Sequence, residues 1–539
     1  MRILVVMASP EYLRYYDSTI RLLATRGHEV LVGVMQQKDA KPVRLEEHGL
    51  ADGVRVLGLV PRRVDGWAPL ARLVRGTMDY VRYLHPRYSS AHALRARLVR
   101  KGLPRPLRRI DARLGVCSDA TVRHLLRFLA AVERGIPTCS AADVFLKEHS
   151  PDVVLVSPLV DVASEEVDIV RSARRLGIRV AVGIASWDNL TNKGLLRVEP
   201  DVVLVWNDAQ KTEAVELHGI APERVVVTGA QLFDRWFHKQ PARSLEAFAS
   251  RVGLPAAERF ILFTGSSMFI SAPEAEVAFV KRWLSALRGS RHAILRDTPV
   301  LIRPHPYNGW IWADVDVSEF PRVAVWPRGA YNAVDAGNRD DFFDSLYYSR
   351  AVVGINTSAM IEAAILGRPV HSIVGEDFDK TQEGTLHFHH LLPENGGFLQ
   401  VGRGLGPHSD LLAASLGDEA AAREQTRAFV GWFLRPHGID RECTPIVADA
   451  LERLSAAPVR APERVGLARA LSWALRPLAT LLARAGSRSK KDRRGRVLVR
   501  RATRMGQQAR KRTASAFRST HKKVRRFRKD VAVRVRRSV

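Results

Sequence analysis

Short apolar runs closed by polar turns recur through the first 435 residues. Between them lie longer stretches in which apolar positions return every three or four residues. Arg2-Ile3-Leu4-Val5-Val6-Met7 reads as a buried strand, residues 16–25 as a helix with Ile20, Leu22, Leu23 and Ala24 apolar, and 30–34 as the next strand. Arg26-Gly27-His28 breaks the helix, and His28 reads as a turn residue. This opening predicts a parallel sheet. Strand signals return at 153–156, 180–184, 202–205 and 225–227. After a stretch over 238–258 that reads as a linker, they resume at 260–263, 300–302, 323–325, 352–353 and 370–374. The expectation is an α/β protein with two Rossmann-like domains, 1–240 and 255–435, facing a cleft.

Two regions break the alternation. Residues 64–139 read as a helical insertion rich in Arg, Leu and Ala, packed on the first sheet. Its arginines suit a solvated face, with membrane or an acidic substrate as the alternative. Residues 417–434 and 444–454 read as closing helices, and 436–485 as a closing and amphipathic segment. Over 465–483, Arg469, Ser472, Arg476 and Thr480 recur at helical spacing while leucines take the other faces, with a kink expected at Pro477.

In parallel sheets ligands gather at the strand C-termini. The loops there are 157–161, 185–194, 206–207 and 228–231, of which 185–194 is the most polar. In the second unit, Asn356-Thr357-Ser358 forms a polar turn after a strand and before a short apolar helix, which Gly367 and Pro369 end. Such a turn reads either as a capped core helix or as an anion site. The opening strand lacks a G-x-G-x-x-G, so a dinucleotide fingerprint is absent.

Charge changes the picture only at the C-terminus. The net charge is +28, but from Arg484 onward 23 basic residues face two acidic ones, a net +21 that leaves +7 for the rest. The body is therefore not marked as a nucleic-acid binder. The segment 486–539 reads as a polybasic tail, disordered by itself. Cys117, Cys139 and Cys443 fit no metal spacing and point to a reducing compartment. The apolar start is too short for a signal peptide, and no apolar run approaches the ~18 residues of a spanning helix.

Several short motifs carry a resemblance. Arg26-Gly27-His28, together with Glu362-Ala363-Ala364 and Gly367-Arg368-Pro369-Val370, resembles glycosyltransferases of the GT-B fold. Val227-Thr228-Gly229-Ala230-Gln231-Leu232-Phe233-Asp234, His305-Pro306 and Asn356-Thr357-Ser358 are similar to CDP-glycerol glycerophosphotransferases. The last two also resemble the His-Pro and Ser-Ser/Thr motifs of capsule polysaccharide sialyl- and Kdo-transferases. The resemblance spans roughly residues 1–435. It implies that the second domain binds a nucleotide-activated donor, a substrate rather than a cofactor, with His305, Thr357 and Ser358 at its phosphate.

The chemistry of the residues points the same way. A departing phosphate needs groups that stabilise growing negative charge, and Arg303, His305 and the hydroxyls would do so without a metal. His305, between two prolines, could equally be a plain loop residue. By the resemblance, Glu362 matches the late Glu of the E-x7-E motif that holds the donor ribose, but Gly354 stands where the first Glu belongs. Trp326 lies where relatives hold the base, and Gly265, Ser266 and Ser267 where the diphosphate approaches. A general base for the acceptor hydroxyl should come from the first domain. Asp188 leads, with Glu11 and Asp161 behind it, although Asp188 could instead tie its own loop. His387, His389 and His390 match no metal cluster, and Gln382, Gly384 and Thr385 read as a donor-facing loop.

The leading expectation is a glycosyltransferase acting on envelope or capsule polysaccharide or a lipid-linked acceptor. A CDP-glycerol-type polyol-phosphate transferase, a non-hydrolysing UDP-sugar 2-epimerase and a non-catalytic scaffold are the alternatives. The amphipathic segment and tail suggest a cytoplasmic protein held on the inner, anionic membrane face. Nucleic acid is the lesser candidate, because Phe517 and Phe527 are the tail's only aromatics.

Overall fold

The computed structural model describes residues 1–36, 52–111, 114–331, 335–459 and 470–485. The basic segment 486–539 and the start of the amphipathic segment, 465–469, lie outside the described residues. Among the described residues there are two sheets, and every strand pair in them is parallel.

The first sheet contains β1 (Arg2–Met7), β2 (Glu29–Val34), β3 (Val54–Leu59), β4 (Val153–Ser157), β5 (Arg179–Gly183), β6 (Val202–Val205) and β7 (Val225–Val227), in the order β3-β2-β1-β4-β5-β6-β7. The second contains β8 (Phe260–Thr264), β9 (Val300–Arg303), β10 (Val323–Val325), β11 (Ser349–Gly354), β12 (Val370–Val374) and β13 (Leu399–Arg403), in the order β10-β9-β8-β11-β12-β13. Each order reverses beside its first strand, between β1 and β4 and between β8 and β11. That is the Rossmann arrangement, with a crevice where the order turns. β1, β4, β8, β9 and β11 are almost wholly buried, as their unbroken Val/Ile/Leu runs require of strands covered on both faces. Two Rossmann-like units in one compact body make the expected GT-B architecture.

The edge strands β3 and β13 escaped the sequence pattern because their residues are only partly buried. The linker expected over 238–258 contains a helix, Leu245–Val252. The Ser244 hydroxyl accepts from the Ala247 N–H at its start, and Gly253 ends it at φ +79°. Phe248 stacks there on Phe260 and Tyr348, so the segment belongs to the second core.

The insertion folds as α2 (Ala68–Arg82), α3 (His92–Gly102), α4 (Arg105–Asp111) and α5 (Asp119–Gly135), following α1 (Leu13–Thr25) in the first unit. One buried ion cluster anchors it. Arg75 donates to both oxygens of Asp168, at 2.9 and 2.8 Å, and to Glu133 at 3.0 Å, while Arg63 reaches Asp168 at 3.0 Å. Burial would raise the Asp168 carboxyl, but Arg75 and Arg63 bring it down to about 2.

The two units meet along a packed seam. Trp187, Trp206 and Phe233 from the first share one apolar cluster with Phe388, Phe429 and Phe433 from the second. Helix Thr444–Ala456 then returns to the first unit, where Val447 and Leu451 pack with Ile20 and Leu23 of α1. Asp234 fixes that return. Its carboxylate accepts from the Cys443 and Thr444 N–H groups at 3.0 and 2.7 Å, from the Thr444 hydroxyl at 2.6 Å and from Arg435 at 3.0 Å.

Candidate functional site

The cleft floor on the second unit is the turn after β11 together with the loop after β9. Gly354 ends β11 with Thr264 and Thr357 so close that a Cβ would meet them at 2.9 and 3.3 Å. The carboxylate that an E-x7-E motif would place there has no room. Beyond it, Thr357 is half-buried and Ser358 exposed, and the Ser358 hydroxyl makes no capping bond to helix Ala359–Ile365. The Thr357 hydroxyl accepts the Ala359 N–H at 3.5 Å, and Ser358 is the exposed one of the pair. Asn356 is buried instead, and its amide donates to the Thr381 carbonyl at 2.7 Å.

His305 is half-buried, and its Nδ1 accepts the Tyr307 N–H at 3.2 Å. The ring proton is then left on Nε2. Burial, and secondarily Arg14, push the imidazole down to about 4, so His305 is a neutral donor near pH 7. Arg14 comes from α1 of the first unit and is within electrostatic reach of Tyr307 and Glu362 as well. Burial raises the Glu362 carboxyl to about 7, although Arg14 and Arg235 draw it back. Arg235, on the short helix Gln231–Phe237, is itself pushed below its ordinary value by burial and by repulsion from Arg339. Arg14, Arg235 and Arg339 each keep part of the side chain in water, while neighbours partly desolvate the Arg14 and Arg235 guanidinium groups. Arg14 and Arg235 set positive charge against the raised Glu362 carboxyl, and Arg339 stands near Arg235, which is an environment for an anion.

The sequence pattern did not single out Arg14, Arg235 or Arg339. Arg235 directly follows the Val227–Asp234 motif, which was its available signal. Arg14 and Arg339 sit on polar helix faces that look like ordinary solvated surface.

Other expected donor residues lie elsewhere. Arg303 is 3% exposed, donates to the Ser345 hydroxyl and the Asn338 carbonyl, both at 3.2 Å, and lies over the rings of Tyr331 and Phe342. It faces helix Ala336–Tyr348 rather than the cleft, because a guanidinium at the end of a buried strand needs partners inside. Ser266 is fully buried, and its N–H donates to Glu276 at 2.6 Å. Gly265 packs so tightly on the His305 backbone that a Cβ would lie 2.7 Å from its nitrogen, whereas Ser267 is half-buried. Trp326 donates to Asp341 at 3.2 Å beneath the Arg251 guanidinium.

The loop expected to face the donor is an internal tie. Gln382 is fully buried and donates to Ile355, Ser372 and Ile373, and the buried Thr385 hydroxyl donates to the Gln382 carbonyl at 2.8 Å. Of the three histidines nearby, His387 and His390 meet the first unit across the seam. The His387 ring meets Trp187 edge to face at 4.7 Å, His390 reaches Glu213 at 2.6 Å, and His389 bonds the Glu383 carbonyl at 2.9 Å. Among the described residues there is no cluster of three or more metal-ligating side chains.

Across the cleft, Asp188 is tied into its own loop. Its oxygens accept from the Asn189 amide at 3.3 Å and the Asn192 amide at 2.6 Å. Burial would raise its carboxyl, but His387, Lys193 and hydrogen bonds from Ser186 and Asn192 hold it below the usual range. Asp161 pairs with Lys193 at 3.2 Å, and Lys193 also bonds the Tyr12 hydroxyl at 3.1 Å. Glu11, on the turn Pro10–Tyr12 just before Arg14, has a buried Oε2 with no hydrogen-bond partner.

No family model and no curated protein matches the sequence. Solved structures are similar in chain course only. The UDP-GlcNAc 2-epimerase from Methanocaldococcus jannaschii has a TM-score of 0.46 at 12% identity, over 84% of this chain and 99% of that one. WaaG, a glycosyltransferase of lipopolysaccharide biosynthesis, has a TM-score of 0.43 at 11% identity, over 84% and 100%. A calicheamicin glycosyltransferase has a TM-score of 0.43 at 14% identity, over 85% and 99%. At such values the likeness assigns no residue a role.

Proposed function

We propose that the protein is a glycosyltransferase that moves a sugar from a nucleotide-activated donor to an envelope or capsule polysaccharide or a lipid-linked acceptor. The observation that carries this reading is that Arg14 lies within electrostatic reach of the neutral His305, of Glu362 and of Arg235, which Arg339 in turn repels. When the bond from the sugar's anomeric carbon to the donor phosphate breaks, its electron pair leaves on the phosphate oxygen. Cations and an Nε2–H donor fixed around that oxygen stabilise the charge as it grows, which is the largest lever such a site has. Because the arginines supply that charge, the reading does not need a metal. Thr357 and Ser358 offer further donors, and Glu362 holds a donor hydroxyl.

In a direct displacement the acceptor hydroxyl must lose its proton as its oxygen attacks. Glu11 suits that role better than Asp188, whose low basicity and two amide bonds make it a poor proton acceptor. Asp188 then holds the 185–194 loop in place. The exposed Trp473, Leu478 and Leu481 on a helix over 470–485, with the basic residues after it, support attachment to an anionic membrane face. No described helix is long and apolar enough to cross a membrane.

Titration calorimetry with UDP-, CDP-, CMP- and GDP-linked sugars in EDTA tests the donor site. At least one should bind, and Arg235→Ala should weaken that binding. Absence of binding by all four ends the reading. Product analysis with the bound donor then separates transfer from epimerisation and from polyol-phosphate transfer.

A further inference from the structure

The order of the first sheet turns between β1 and β4, and the loops after those two strands bring a tyrosine and a carboxylate to one ammonium. Lys193, in the 185–194 loop after β5, donates to the Tyr12 hydroxyl at 3.1 Å and to Asp161 at 3.2 Å. An ammonium has three N–H donors, and among the described residues only these two acceptors meet it. Burial would lower the Lys193 pKa, but Asp161 and Tyr12 outweigh it and keep the group charged. Helix α3 borders this crevice. Its last residue, Gly102, packs beside Asp161, since a Cβ there would lie 3.5 Å from the Val162 side chain. Arg97, Arg100 and Lys101 stand three and four residues apart on one face of α3. Lys101 is within electrostatic reach of Arg97, Arg100, Lys193 and Asp161.

The charge in this group is unbalanced. Lys101, Lys193, Arg97 and Arg100 meet two acids, Asp161 and Asp188. Asp188 already accepts from Asn189 and Asn192. The nearby Glu166 adds little, because burial raises its carboxyl to about 8 and leaves it mostly neutral near pH 7. Among the described residues no carboxylate lies within ion-pair distance of Arg97, Arg100 or Lys101. Arg97 instead lies over the Phe269 ring at 4.8 Å, on the loop that follows β8. Burial and then Arg97 push the Lys101 ammonium below its ordinary value. The helix dipole accounts for basic residues in the last turn of α3. It does not account for three cations on one face set toward a fourth, since like charges at this spacing destabilise a helix. The group borders the proposed chemistry. Glu11 directly precedes Tyr12, the Tyr12 and Tyr15 rings are 5.4 Å apart, and Arg14 lies over Tyr15 at 4.6 Å.

We infer that Lys193 and Lys101, with Arg97 and Arg100 beside them, bind a phosphate group carried by the acceptor, whose hydroxyl then lies toward Glu11. The inference rests on the transferase reading and deepens it, naming the acceptor as a phosphorylated one held on the first unit, apart from the donor phosphate. A phosphate monoester carries about 1.5 to 2 negative charges at pH 7, which answers the surplus of positive charge. Its oxygens point in several directions and suit ammonium and guanidinium groups arriving from a loop and a helix. A planar carboxylate is met best by a single arginine fork. The crevice where the strand order turns is also where a parallel sheet binds its ligands. A phosphate of this kind occurs on a lipid-linked sugar and within some glycans, and the chemistry recognised is the same in both.

Titration calorimetry of the full-length protein with glucose 1-phosphate, at physiological salt, tests this. Glucose 1-phosphate should bind and methyl glucoside should not. Lys101→Ala, at the exposed end of α3, and Lys193→Met should each weaken binding roughly fivefold, the worth of one partly exposed charge pair. Asp161→Asn should tighten it, which a merely disturbed loop would not do. Lys147→Ala, an exposed lysine on helix Ser140–His149, should change nothing. Wild-type affinity in both lysine variants overturns the site, as does no binding by the wild type. Binding that falls in Arg235→Ala but not in Lys101→Ala assigns the sugar phosphate to the donor site and overturns it too. Glucuronate that binds as tightly as glucose 1-phosphate overturns the assignment to phosphate. Polyprenyl phosphate in neutral micelles that competes more strongly than glucose 1-phosphate supports the site with a lipid-borne acceptor, and weaker competition supports it with a phosphate within a glycan. Nucleotide-sugar calorimetry on the same samples separates the two readings. Nucleotide-sugar binding with no glucose 1-phosphate binding removes the acceptor site alone, whereas no nucleotide-sugar binding by the wild type removes the transferase reading beneath it.

Discussion

In the proposed reaction His305 is a neutral donor, because burial and Arg14 both penalise its charged form. Its protonation should therefore leave no inflection near pH 6.5 in turnover, and any limb it contributes should lie near pH 4. His305→Ala should lower turnover by ~10²-fold, the scale of losing one group that stabilises developing charge, with a smaller effect on donor affinity. Rates from pH 4 to 9 check both statements. Glu276 shows the opposite shift. It is fully buried, one oxygen accepts the Ser266 N–H and the other has no partner, and burial raises its carboxyl to about 7. Between the ordinary carboxyl value and about 7, the folded protein holds a proton that the unfolded chain has lost. Stability from this group is thus full below about 4.5 and falls as pH rises to about 7, by on the order of 3 kcal/mol. Glu276→Gln should flatten that slope in urea titrations at pH 5 and 8. An unchanged slope would mean that Glu276 is ionised throughout.

Among the elements, helix Thr444–Ala456 is held to the first unit by one carboxylate as well as by its apolar face. Asp234 takes four hydrogen bonds, one from a guanidinium, in a site where water cannot replace it. Asp234→Ala should cost about 3–5 kcal/mol, the range for removing one partner of a buried charge pair, because Arg435 and two backbone N–H groups are left unmet. Chemical denaturation should show the loss. Hydrogen exchange should show it first in residues 444–456, since loss of the cap frees that helix before the sheet.

For the whole molecule, the seam joining the two units is apolar and well packed, and it contains Trp187 against His387 and Glu213 against His390. The proposed attachment to membrane is a separate matter and rests on the charge at the C-terminus. The full-length protein should float with phosphatidylglycerol vesicles and be released by high salt, since polybasic attraction is worth about 1 kcal/mol per residue near the surface and is screened by ions. A chain ending near Ala461 should stay in solution and still bind nucleotide. If it floats as well as the full-length protein, the anchor lies elsewhere, and the exposed Leu125 and Phe128 of α5 are the next place to look.

The α/β class, the two units and most strands were legible because a strand buried on both faces must be apolar throughout, and local pattern records that directly. β1, β4 and β11 show it plainly. The edge strands were missed for the same reason, since partial exposure dilutes the pattern. The Asn356-Thr357-Ser358 turn and the His305 loop could be picked out because their side-chain types are unusual between strands. Which of those groups face the cleft was decided only by packing. Arg303 and Gln382 have the right chemistry in the right stretches, yet the Arg303 Nη groups and the Gln382 amide N–H groups donate inside the second unit. Arg14, Arg235 and Arg339 look like surface charges along the chain and come within reach of one another or of Glu362 only in the folded chain. A side chain's propensity is local and can be read from its neighbours, whereas the charge it meets across a cleft is set by residues hundreds of positions away.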